Sequence, residues 1–479
     1  MKRFVFIIVL LYITVSVLAE EFTIGKLTFE TISSNEVELV YVDTAITSVY
    51  LNSTITYQGV KYSITSLGNW AFSGCAGLTS LTIPNGVTNI GDFAFCNCSG
   101  LASIDIPNSV INVGEGAFTG CTKLSSPVYN AHCFAYMPTS FHGHYIIPNG
   151  IKQIAGAAFK GCTDLSSVTI PNTIKSIDER AFENTGVYNN LANWTKGALY
   201  INNCLIAVDD NIVGDYIIYD NTRLIASCAF SFCRTLTSVT IPNSVTSIGT
   251  NAFNCTGITS IMIPKSVTSI GSNVLCSCDN LTSIFVEDGN THYDSRYDCN
   301  AIIESSTNTL IAGCRSTTIP NDVTIIGDYA FYGCEGLTFI NIPNNVKHIG
   351  NAAFFDCINL SCIVIPNSVT SIGKDAFWNC DKLNSINVPY GVKTIEEYMF
   401  WGCSSLTSIT IPSSVTHIKM RAFAFCSSLT SLTIPESVIS IDQEAFWTCE
   451  SLTTVIIPKS IKYISKTAFP LHTRIIYKE

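Results

Sequence analysis

Charged side chains are scarce in this sequence. Asp, Glu, Lys and Arg make up 13% of it, against roughly 25% in an average soluble domain. After Lys2 and Arg3 the basic residues are nowhere clustered. Phosphate neutralisation needs clustered cations, so no nucleic-acid partner is expected. Histidine is rarer still, with seven residues scattered over 479. No Ser-His-Asp context, phosphate-binding glycine motif or paired-carboxylate segment stands out, so no enzyme and no cofactor is expected. Long apolar runs are also missing, apart from Phe4 to Leu18. That run of about 15 residues falls short of the roughly 20 that a transmembrane helix needs. With Lys2 and Arg3 before it and Val17-Leu18-Ala19 at its end, it has the layout of a secretory signal peptide over residues 1–19. The remainder is expected to be exported, either secreted or held at a cell surface.

What is abundant is repetition. A chain of 479 residues is too long for one ordinary core, so several domains or a repeat array must divide it. Residues 405–427, SLTSITIPSSVTHIKMRAFAFCS, align beneath 428–450, SLTSLTIPESVISIDQEAFWTCE, with a period of 23. The proline recurs at Pro84, Pro107, Pro148, Pro171 and Pro242, then without a break at Pro320, Pro343, Pro366, Pro389, Pro412, Pro435 and Pro458. In each unit, residues such as Leu406, Ile409 and Ile411 alternate with outward Ser408 and Thr410, which is the period of a half-buried strand. The proline lacks a donor and ends that strand. Val415 and Ile418 supply a second inward pair, and Ala422 and Phe423 plug the far side of the coil. One coil cannot bury these groups alone; stacked coils can. The expected fold is a solenoid.

The unit L-x-x-I-x-I-P-x-x-V-x-x-I-x-x-x-A-F-x-x-C resembles the BspA-like, or Treponema pallidum-type, leucine-rich repeat. The resemblance implies a curved leucine-rich-repeat solenoid with short parallel β-strands on its concave face. It also implies a secreted or surface-exposed protein, adhesin-like, with no catalytic residues. Its ligand would be an extracellular protein or glycan of a host matrix or a neighbouring cell. The alternative is a structural surface-coat protein built by self-association. The array is expected over residues 59–479, behind a β-rich N-terminal cap at 20–58, where Glu36 to Tyr41 alternates. Irregular insertions are expected near 122–147, 186–225 and 285–318, bulging out of the array and returning to register.

Thirteen of the 21 cysteines, from Cys75 to Cys449 and including Cys380, fall at one template position. A side chain repeated in every coil is read as structural: a small buried group donating weakly to a nearby carbonyl. Adjacent rungs would lie about 5 Å apart, so oxidation between them stays open. Cys299 and Cys314 are out of register and bracket a hairpin-like stretch, and a disulfide between them suits an exported chain. His142 and His144, with His132 and Cys133 nearby, fall short of a metal set, so no metal is expected.

Two groups of residues depart from the uniform Ser/Thr surface. Met262, Phe285, Phe339 and Val364 take outward strand positions near the third insertion. They are either a ligand-binding patch or a seat for that insertion. Tyr332, Phe355, Trp378, Trp401 and Trp447 follow the plug position in successive C-terminal coils, with Ala424-Phe425 breaking the row. These rings either pack on one another or form an open stripe for a glycan or protein.

Overall fold

The computed structural model describes residues 21–478; the signal peptide expected over residues 1–19 lies outside them. Among the described residues no helix is long and apolar enough to cross a membrane. The fold is a β-solenoid of 23-residue coils. It divides into two compact units, one running up to Ile174 with Arg180–Asn189, the other Lys175–Glu179 with Asn190 onward.

The coil around Cys380 shows how the template folds. Cys362–Val364 is a short strand with Ile363 and Ile365 buried. The carbonyl of Pro366 accepts the N–H of Val369, closing the turn. A second strand, Ser371–Ile372, pairs in parallel with His348–Ile349 of the preceding coil. Two strand rows therefore run along the array, where the sequence suggested one. The rest of the coil is turn, and its amides bond to the next coil: Asp375 N–H to the carbonyl of Glu397 and Phe377 N–H to that of Met399. Phe377 is fully buried, its ring 5.4 Å from Phe354 and 5.7 Å from Phe400.

Two residues per coil adopt a left-handed backbone, one before the Ala and one before the Cys. Here they are Asp375 (φ 57°) and Asn379 (φ 56°), and Gly402 (φ 72°) fills the second place one coil later. Asp, Asn and Gly tolerate this conformation; a β-branched residue does not. Thr448 nonetheless takes the same position with φ 56°. Thr448→Asn is therefore expected to stabilise the array by about 0.5–1 kcal/mol, read as a higher urea midpoint.

In the first unit, Glu21–Ile24, Leu27–Thr31 and Glu36–Val42 form an antiparallel sheet that continues in parallel through Val60–Leu67 into Asn89–Ile90 and Asn112–Val113. Ser48–Tyr50 already pairs in parallel with Ser80–Thr82. The first repeat strand thus lies inside the segment read as a cap. Its template is masked because the hairpin Thr54–Tyr57/Val60–Leu67 follows it in place of the usual Pro turn.

The three insertions share one design. Cys133–Tyr136, Cys204–Val208 and Thr309–Gly313 each form the second strand of an antiparallel hairpin and then join the short-strand row in parallel. They are built into the coils, not bulged from them. The third is buried on both faces: Ala301 and Ile303 pack into one core cluster, Ile302 and Ala312 into another.

Candidate binding site

The long-strand row of the second unit contains a four-stranded parallel sheet of Gly214–Ile217, Leu236–Thr240, Ser260–Ile263 and Ser283–Val286. Alternation buries Ile261, Ile263, Ile284 and Val286 and turns Met262 and Phe285 outward, paired side by side. Met262 is 58% and Phe285 44% exposed. The third insertion does not lie over them. Its first segment, residues 287–298, walls one side instead and encloses an open groove of about 600 Å³.

This wall is firmly tied. The Asn290 side-chain amide donates to the carbonyls of Pro264 and Val267 at 3.0 Å each, and its oxygen accepts the N–H groups of His292 and Tyr293. Asn130 makes the equivalent four bonds in the first insertion. Ser295 accepts the N–H of Val286 at 3.0 Å, fastening the wall to the floor strand. Arg296 reaches both oxygens of Asp294 at 2.6 Å and Asp322 at 2.7 Å. Burial acts to raise the Asp294 carboxyl, but the Arg296 bonds outweigh it and hold the group below the usual carboxylate range. Glu287 is also held low, first by the Lys265 backbone N–H and then by the Lys265 ammonium.

Phe339 and Val364 do not join this groove. They are exposed, but they lie in a separate three-stranded sheet, and their register is offset: Phe339 pairs with Cys362 and Val364 with Asn341. The insertion hairpin interrupts the long-strand row between the two sheets. Two further exposed residues, one on the floor sheet outside the groove and one in the wall, were not singled out from the sequence. Ile217, 67% exposed, ends the first strand of the same sheet, and aligning 214–218 with the template despite its missing proline would have found it. Tyr297, 81% exposed, lies in the wall, where no template exists to mark it.

The aromatic row is continuous. Centroid distances run Tyr332–Phe355 4.6 Å, Phe355–Trp378 5.4 Å and Trp378–Trp401 4.1 Å, all stacked. Phe425, shifted one residue along, bridges the apparent break by edge contacts with Trp401 at 4.8 Å and Trp447 at 5.1 Å. From Tyr332 to Phe425 the rings are half-buried; Trp447 is 45% exposed and lies beneath the Arg421 guanidinium. Ring faces occupied by neighbouring rings are not offered to a sugar, which would need those faces.

The repeated cysteines form a second ladder. Cys380 Sγ donates to the carbonyl of Phe354, the plug of the preceding coil, at 3.2 Å, and Cys403 to that of Phe377 at 3.2 Å. Cys98, Cys121, Cys357, Cys426 and Cys449 repeat the bond at 3.1–3.2 Å. Burial pushes the Cys162, Cys233 and Cys449 thiols up to about 12 and those of Cys357, Cys380 and Cys426 well above the ordinary value. Cys299 and Cys314 are free thiols, which corrects the expected disulfide. Cys299 packs in the cluster of Ala301 and Ile303, Cys314 in that of Ile302 and Ala312, so they project to opposite faces of one hairpin. In the first insertion His144 bonds the hydroxyls of Ser167 at 2.7 Å and Thr169 at 3.1 Å, one through each ring nitrogen.

Parallel strand rows, a stacked plug and an S–H ladder at a 23-residue period define a leucine-rich-repeat solenoid. The BspA-type leucine rich repeat family matches over residues 44–133, 127–203, 213–307, 301–426 and 347–476, and the chain belongs to that family. No curated protein shows a sequence match to it. Among solved structures it is similar to a leucine rich cell surface protein of Faecalibacterium prausnitzii, at 26% identity over 96% of this chain and 95% of that one, TM-score 0.37. A leucine-rich repeat protein of Eubacterium ventriosum is 21% identical over 93% and 92%, TM-score 0.48. The pneumococcal vaccine antigen PcpA is 16% identical over 96% and 99%, TM-score 0.43.

Proposed function

We propose that this protein is an extracellular or surface-displayed binding protein that holds a protein ligand on its strand face, without catalysis or a cofactor. The carrying observation is the groove: Met262 and Phe285 lie open and adjacent at its floor, beside a wall fixed by Asn290, Ser295 and Arg296. Exposed apolar groups gathered in a rigid concavity mark interaction sites. An adhesin-like role toward matrix or neighbouring-cell proteins accords with family membership.

The test is capture of immobilised extracellular-matrix and plasma proteins by the purified chain. At least one should be retained, and Met262→Ser/Phe285→Ser should weaken that retention about tenfold or more. Both residues are exposed, so the unfolding midpoint should not move. Undiminished capture by the double variant would sink the groove as the site. Concentration-dependent polymers with no ligand captured would favour the surface-coat alternative.

A further inference from the structure

The groove floor is apolar, but its rim is acidic. Four carboxylates line it, Glu287, Asp288, Asp294 and Asp298, against the single cation Arg296. Arg296 is already engaged by Asp294, Asp322 and the Asn308 side chain at 3.0 Å. Glu287 is engaged by Lys265 at 3.3 Å. Asp288 and Asp298 are exposed and have no side-chain partner among the described residues. The Tyr297 ring stands beside Asp298 in the same rim, 81% exposed.

These groups are complementary to one kind of side chain. Lysine and arginine combine an apolar stem with a terminal cation. The stem suits a floor of Met262 and Phe285, while the cation suits an aromatic face and unpaired carboxylates at the rim. A carboxylate-bearing or purely aliphatic segment would leave Asp288 and Asp298 repelled or unmatched. We infer that the groove receives a cationic segment of the partner protein, with a lysine or arginine side chain lying across Phe285 toward Tyr297, Asp288 and Asp298. This deepens the binding reading above and rests on it.

The probe is a fluorescein-labelled oligoarginine peptide, compared with oligoglutamate of equal length by fluorescence anisotropy on the purified chain. Oligoarginine should bind, weakening with added salt, and oligoglutamate should not. Asp288→Asn/Asp298→Asn should weaken binding about tenfold and Tyr297→Ser about threefold. Asp381→Asn/Glu450→Gln, an equal charge change outside the groove, should leave binding unchanged. The inference falls if oligoarginine does not bind at low salt. It falls equally if the groove variants bind like the parent, or if the remote pair weakens binding as much as the groove pair. Should Met262→Ser/Phe285→Ser lose captured matrix protein while Asp288→Asn/Asp298→Asn keeps it, the groove stands as a binding site and the cationic occupant alone is refuted.

Discussion

Raising the pH from about 7 to about 10 in the presence of a reductant is expected to collapse the stability of this protein. The cause is the thiol ladder. Cys162, Cys233 and Cys449 hold their protons to about 12 in the fold, and Cys357, Cys380 and Cys426 are also pushed well up, in each case by burial first. In the unfolded chain a thiol ionises near about 8.5. A folded pKa above the unfolded one favours the folded state while both are protonated. The stabilisation is therefore complete below about pH 8.5 and is lost as the pH climbs toward the folded value. Each such thiol removes up to about 1.4 kcal/mol per pH unit in that window. A handful acting together reach the roughly 5–15 kcal/mol that holds a domain. Urea midpoints measured across this range should be level up to about pH 8 and then fall steeply. A flat profile to about pH 10 would show that the thiols are not free protonated groups in the core.

Phe377→Ala should cost about 3–5 kcal/mol, the largest loss expected from one side chain. Phe377 is fully buried between Phe354 and Phe400, and its carbonyl accepts the Cys403 thiol. Truncation removes ring contacts on both sides and leaves a cavity that neighbouring coils, held by Phe354 N–H to the Ala376 carbonyl and Phe400 N–H to that of Ala422, cannot collapse to fill. Because each coil leans only on its neighbours, the loss should be local first, with amide exchange accelerated on either side of the substituted coil. Phe285→Ala provides the contrast: its ring is exposed, so the midpoint should stay within about 0.5 kcal/mol of the parent. Equal losses at the two positions would mean that the plug row is not the core.

The repeat made much of this readable beforehand. A residue type that returns every 23 positions reports the environment of that position averaged over many coils, so noise at any one coil cancels. Phe377 as a plug and Cys380 as an S–H donor were legible for that reason. The second strand row was not, because two residues such as Ser371–Ile372 are too short to show alternation. The aromatic row was legible only in part: Phe425 compensates for Ala424 by a one-residue shift, and a column-by-column alignment cannot see it.

The insertions mark where sequence reasoning stops. Nothing in 285–318 repeats, so no averaging applies, and its hairpin could bulge outward or enter the core with the same alternation. Tertiary packing decided for the core, because Ala301, Ile302 and Ile303 are apolar on both faces and two clusters were available to cover them. That choice set Cys299 and Cys314 back to back as free thiols, broke the long-strand row, and left Met262 and Phe285 uncovered beside an acidic wall. The coil was written in the repeat, because periodic burial admits one stacking. The groove came from packing in three dimensions, because a wall is made by residues that come together once.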